Sequence, residues 1–135
     1  ALEFNTKSAV KIFAFIDAVA AREQSKAMQL LADERMAGAE NMYLFTMITR
    51  QVRLLLGARE VIDRLPNASS AILADEMGVH SFVAGKILSQ ARAFSLLNLR
   101  KLHNLCFYFD RQIKLGLDQG LAVDRLVIEF VATPA

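Results

Sequence analysis

Apolar residues recur every three or four positions along nearly the whole chain, which is the spacing of one helix face. The longest such stretch starts at Asn41 and stops before Pro66, a residue that does not continue a helix. No stretch alternates polar and apolar residues for long enough to predict a strand. Capping residues and glycines divide the pattern into about seven helices. The predicted N-terminal caps are Ser8, Ser25, Ser95 and Asp118, and the predicted helix ends are Gly38, Gly78 and Gly116.

This pattern predicts an all-α fold, a single compact domain packed around one core. The 135 residues are enough to bury such a core without disulfides or a metal. Hydrophobic residues make up 54% of the chain and charged residues 22%, which is a globular composition. We expect residues 1–7 to be a flexible or non-native start, and residues 8–135 to be one helical domain cut from a longer protein.

The reactive side chains are too isolated to predict catalysis or metal binding. His80 and His103 each lack a His or Cys at helical spacing, whereas Zn²⁺ needs three or four converging ligands. Cys106, the lone cysteine, is expected to be a buried structural thiol and suits a reducing cytoplasm. Carboxylates such as Asp33 and Glu34 are expected on polar helix faces. We therefore predict no enzyme, no cofactor and no metal, and no membrane partner, because no apolar run approaches the about 18 residues of a span.

Residues 70–94 resemble a helix-turn-helix, with Gly78 at the turn between two short helices. A base-reading helix presents Arg, Asn or Gln near its start, and only Lys86, Gln90 and Arg92 are suitable here. The formal net charge is +2, from 16 basic and 14 acidic side chains, which does not favour a dedicated nucleic-acid module. DNA binding by this segment is the alternative to a protein-interaction function.

The predicted third helix contains several arginines, and two of them, Arg50 and Arg53, are one turn apart. One interpretation is a solvated stripe whose aliphatic stems lie along apolar surface. The other is a contact surface for another subunit, where Arg is enriched. Sequence reasoning leaves both open.

Four separated segments resemble, in order, the C-terminal domain of the delta subunit of bacterial DNA polymerase III, a clamp-loader family. In the second segment the family's Arg-Gln, hydrophobic residue and Arg are matched by Arg50, Gln51, Val52 and Arg53. Ser81 and Leu115 depart from the family pattern, which commonly has Pro and Thr there. The matching segments are VKIFAFIDAVA with KAMQLLADERMAGAE, YLFTMITRQVRLLLGAREV, ADEMGVHSFVAGKILSQARAFS and DRQIKLGL.

The resemblance implies a helical bundle like those of the clamp-loader collar, without ATPase activity. As implied by the family, it joins the motor subunits and delta prime in a cytoplasmic bacterial complex that loads the sliding clamp for a DNA-directed DNA polymerase. The clamp itself would be contacted by an N-terminal part, which has AAA+-like domains, and DNA indirectly through the complex. The expected subunit-interface or DNA-proximal residues are Arg50, Arg53, Lys86, Gln90, Arg92, Asp110, Lys114 and Gly116.

Overall fold

A computed structural model describes the backbone of residues 6–134 and the side chains of residues 11–134. This part of the chain contains seven helices and no strand, so the predicted all-α fold is confirmed. The helices are α1 (Thr6–Ala20), α2 (Gln24–Met36), α3 (Asn41–Arg64), α4 (Ser70–Met77), α5 (Ser81–Arg92), α6 (Leu96–Lys114) and α7 (Gln119–Val131).

Most predicted helix boundaries are confirmed by hydrogen bonds at the helix ends. The hydroxyl of Ser95 accepts a hydrogen bond from the Asn98 amide at 3.1 Å, and the carboxylate of Asp118 accepts one from the Leu121 amide at 2.9 Å. These bonds satisfy amides that have no partner inside the helix. Positive φ angles occur at the three predicted helix-ending glycines, Gly38, Gly78 and Gly116.

The predicted start of α2 is wrong. α2 begins at Gln24, before the predicted cap Ser25, and no side chain caps it. A backbone turn sets this start instead, because Arg22, at φ 59°, and Glu23 bond back to carbonyls at the end of α1. α5 ends at Arg92, where the next two amides bond three residues back and tighten the last turn.

At the start of the chain one prediction is wrong and one is untested. α1 begins at Thr6, so Ser8 lies within the helix and not at the predicted cap position, and its side chain lies outside the described part. The expectation of a flexible or non-native start for residues 1–7 also falls mostly outside the described residues and stays a prediction.

The residues group into two compact units. The first contains the chain up to Ile48 together with Phe109–Thr133. In it, α1 packs against α2 and α7, and the fully buried rings of Phe15 and Phe130 contribute to its core. Burying a side chain of this size stabilises the fold by about 1.5–3 kcal/mol.

The second unit contains Thr49–Tyr108, in which α4 packs against α5. Its core includes the buried side chains of Leu55, Leu73, Ile87 and Leu99. Here Gln51 is a buried polar residue, and its side-chain nitrogen donates to the side-chain oxygen of Gln90 at 2.6 Å. The bond satisfies an amide that would be costly to bury unpaired.

Candidate subunit-interface site

The arginines of α3 divide into two classes by their partners. Arg59 pairs with Asp63 at 2.6 Å, and Arg64 pairs with Glu76 at 3.2 Å. Arg50 and Arg53 are exposed, and neither forms an ion pair with a carboxylate in the described part of the chain. Arg50 and Arg53 therefore differ from Arg59 and Arg64 in having no acidic partner among the described residues.

The positive charge of Arg53, on α3, acts on the thiol of Cys106, the lone cysteine, on α6. Cys106 is buried, and burial raises the pKa of its thiol to about 11, while the Thr49 hydroxyl and the Arg53 guanidinium lower that pKa only partly. The buried Thr49 oxygen has no hydrogen bond of good geometry among the described residues, so its effect on the thiol is weak. A buried, protonated thiol is a poor nucleophile, which agrees with the predicted structural role of Cys106.

The candidate residues of α5 are engaged by the protein itself. Gln90 accepts the hydrogen bond from Gln51, and the guanidinium of Arg92 donates to the Ala68 carbonyl at 3.4 Å. The ammonium of Lys86 lies 5.2 Å from the centre of the Phe82 ring. The polar side chains of α5 therefore contact other residues of the second unit. This weakens the interpretation of α5 as a helix that reads DNA bases.

His80 caps the start of α5 through a local hydrogen bond. Its Nδ1 accepts from the Phe82 amide at 3.1 Å, so the imidazole acts as an N-terminal cap. Among the described residues, no three His, Cys, Asp or Glu side chains converge as metal ligands. No described helix is both long and apolar enough to cross a membrane.

Asp110, Lys114 and Gly116 belong to the first unit and shape the end of α6. Lys114 donates to Asp110 at 2.8 Å across one exposed helical turn, a pair worth a few tenths of a kcal/mol at most. Gly116 has φ 108°, a conformation that other residues rarely adopt, and the Leu117 amide then bonds back to the Gln112 carbonyl at 2.8 Å. Their observed contacts are those of a helix C-terminus.

Glu34 is placed differently from our expectation of a polar helix face. It is only 8% exposed, its Oε1 is buried without a hydrogen-bond partner, and burial raises the pKa of its carboxyl group. The reason is visible in the spacing, because Ala27, Leu31 and Glu34 fall on the same buried side of α2. An open cavity of about 360 Å³ adjoins it, lined by Lys11, Leu30, Asp33, Glu34, Met36 and Ala37.

Sequence reasoning missed Arg35, a side chain of the first unit that makes three hydrogen bonds. Its guanidinium donates to Asn41 at 3.1 Å, to Asp124 at 2.6 Å and to the Gly120 carbonyl at 3.0 Å. One residue thus joins the end of α2 to the starts of α3 and α7. Nothing in the sequence pairs these positions, because Arg35 and Asp124 are far apart along the chain.

Comparison with known proteins agrees with this fold. The structure of the Bacillus subtilis DNA clamp loader delta protein matches with a TM-score of 0.78 and 23% sequence identity. The match covers 90% of this chain and 35% of that one, so this chain spans about a third of its length. A search of curated proteins gave no match.

The family comparison rests on sequence and covers most of the chain. The family described as the DNA polymerase III delta subunit, C-terminal domain, matches residues 9–130. That range includes all seven helices almost entirely and all of the candidate residues. The chain belongs to the family of C-terminal domains of DNA polymerase III delta subunits.

Proposed function

We propose that this chain is a non-catalytic oligomerisation domain. It assembles with other clamp-loader subunits, the motor subunits and delta prime, into the collar that supports loading of the sliding clamp onto DNA. The family match over residues 9–130 is the observation that carries the proposal. In this proposal the sliding clamp is contacted through another part of the parent protein, and DNA only through the complex, in the bacterial cytoplasm.

The surface of the second unit fits a docking role. Large apolar side chains stand exposed on it, among them Phe82, Leu97 and Phe107, and Arg50 and Arg53 are cations without carboxylate partners in the described residues. Exposed aromatic side chains and arginines are enriched at protein interfaces, where they provide most of the binding energy.

Assembly of the full-length parent protein tests the proposal. The parent and a version lacking residues 9–130 are each mixed with the other clamp-loader subunits of the same organism, and complexes are measured by analytical ultracentrifugation. We expect a stable complex with the parent and a loss of assembly without the domain. Equal assembly of both proteins would refute an oligomerisation role.

DNA binding by residues 70–94 is tested on the same proteins. A helix-turn-helix predicts affinity for DNA that falls steeply with salt, since released counterions drive the binding. It also predicts a loss of that affinity for Lys86→Ala. We expect no DNA affinity that depends on Lys86.

A further inference from the structure

The pocket beside Glu34 lies between α1 and α2, two helices that pack against each other in the first unit. Its volume is about 360 Å³, at the lower end of the range of about 300–1,000 Å³ that is typical of ligand pockets, and it is open to solvent. Lys11 lines it from α1, and the other lining residues belong to α2 and its C-terminal cap. The pocket therefore has the size for one long side chain or a small molecule.

Glu34 brings to this pocket a carboxylate that has no partner. Its side chain lines the pocket but is only 8% exposed, and its Oε1 has no hydrogen-bond partner among the described residues. The next residue, Arg35, donates to Asp124 and not to Glu34. Burial raises the pKa of the Glu34 carboxyl group, and the charge of Lys11 lowers that pKa only in part, since no ion pair joins these two described side chains. Burying a carboxylate without a donor is costly, so the position favours a ligand that supplies one.

The electrostatics of the pocket favour a cation. Glu34 and Asp33 bring two carboxyl groups to it, whereas Lys11 brings one ammonium group. The pocket also lies at the C-terminal end of α2, where the helix dipole places partial negative charge. An anion such as a phosphate would be repelled by this arrangement, because like charges brought together at an interface are costly.

The apolar part of the lining favours a cation that is carried on an aliphatic stem. Leu30, Met36 and Ala37 line the pocket together with the two acidic residues, and Met36 is 88% exposed. Basic side chains lay their methylene groups along such apolar surface, and methionine adapts its shape to what it contacts. A bare metal ion would gain nothing from these residues, and Ca²⁺, for example, takes about 6–8 oxygen ligands. Arginine suits a buried carboxylate better than lysine, because its guanidinium is more weakly hydrated and donates two parallel hydrogen bonds.

We propose that this pocket receives an arginine side chain of a neighbouring clamp-loader subunit, with the guanidinium bound to the Glu34 carboxylate. The inference rests on the proposed function and adds a position on the first unit and the chemistry of the partner. Leu30 and Met36 contact the stem of the arginine, and the exposed Asp33 adds to the attraction.

The test uses the full-length parent protein and the other clamp-loader subunits of the same organism. Glu34→Gln removes the charge at nearly constant shape, and Ala37→Lys places a cation three residues after Glu34, within reach of its side chain. The matched control is Glu129→Gln, the same change at an exposed position of α7 in the first unit. Thermal melting of each uncomplexed parent protein measures its stability, and analytical ultracentrifugation at neutral pH measures the dissociation constant of the complex.

We expect Glu34→Gln to weaken assembly about tenfold, because a hydrogen bond between two charged groups loses one of its charges. The uncomplexed variant should be at least as stable as wild type, since it no longer buries an unpaired carboxylate. Ala37→Lys should also weaken assembly, because its ammonium group competes for Glu34 and repels the incoming cation. Glu129→Gln should change the dissociation constant less than about twofold. A purely structural role of Glu34 would not weaken assembly of a variant whose fold is as stable as that of wild type.

Assembly of either pocket variant like wild type would overturn the docking proposal and leave the oligomerisation role standing. Failure of the wild-type protein to assemble would refute that role instead. A loss of stability of uncomplexed Glu34→Gln would show that the carboxylate already has a partner in its own chain, and would overturn the proposal. Loss of self-association of the parent in Glu34→Gln, with assembly intact, would assign the pocket to a second copy of the protein and overturn the proposal as well.

Discussion

Replacing Arg35 by Met should destabilise the first unit measurably. The substitution keeps most of the aliphatic stem and removes three hydrogen bonds, to Asn41, Asp124 and the Gly120 carbonyl. A hydrogen bond contributes roughly 0.5–1.5 kcal/mol net, and one to a charged group contributes more. The Arg35 side chain is 32% exposed, so we discount the ionic part for solvent screening. The expected loss is about 2–3 kcal/mol, since the freed acceptors are near enough to the surface to be hydrated.

Urea unfolding followed by circular dichroism measures this loss, and thermal melting gives a second reading. For a chain of this size, about 1 kcal/mol corresponds to roughly 3–4 °C, so the melting temperature should fall by about 6–12 °C. Arg35→Lys keeps the positive charge but not the planar set of donors of the guanidinium. Its loss of stability should be more than half of the loss expected for Arg35→Met. Arg125→Met, at an exposed arginine of α7, is the control and should stay within about 0.5 kcal/mol of wild type. If Arg35→Lys were as stable as wild type, the three-way geometry would not be what stabilises the unit.

Three further outcomes follow from the described contacts. Burial raises the pKa of Glu34 above its usual 4.5, so ionisation of its carboxyl group costs the fold nothing below that pH and destabilises it as pH rises through the folded-state pKa. Glu34→Gln should therefore gain stability over wild type between about pH 4.5 and 7, and a pH-independent difference would contradict this. The Cys106 thiol, with its pKa near 11, should react with Ellman's reagent at pH 8 only after unfolding, whereas rapid labelling of the folded protein would contradict its burial. Gly57→Ala should stabilise α3 by about 0.5–1 kcal/mol. The new methyl would meet only the flexible end of Met77, at 3.4 Å, and a lower denaturation midpoint would show that Met77 cannot adjust.

The fold was predictable because most of its signals are local. A cap such as Asp118 bonds to an amide three residues away, and Gly116 turns the chain at its own φ angle. Such features need no knowledge of distant residues. The start of α2 was predicted wrongly for the complementary reason. There the backbone of the turn after α1 sets the boundary, and the nearby Ser25 is simply the second residue of the helix.

The polar interactions were less predictable, because they join distant parts of the chain. Arg35 and Asp124 are separated by 89 positions, and Gln51 and Gln90 by 39. Glu34 is different, since its spacing from Ala27 and Leu31 already placed it on the buried side of α2. Its acidic character outweighed its position in our prediction, although position on a helix face governs burial more directly than residue type.

The arginines of α3 show why residue type alone could not decide between a solvated stripe and a contact surface. Arg59 and Arg64 have acidic partners within the second unit and help to hold it together. Arg50 and Arg53 have the same side chain on the same helix but lie in a stretch where no carboxylate is within reach along the chain. What separates the two pairs of arginines is the acidic partners Asp63 and Glu76, of which sequence spacing places only Asp63 within one helical turn of its arginine. Under the proposed function, Arg50 and Arg53 are the arginines of this helix that we expect to pair with a partner subunit.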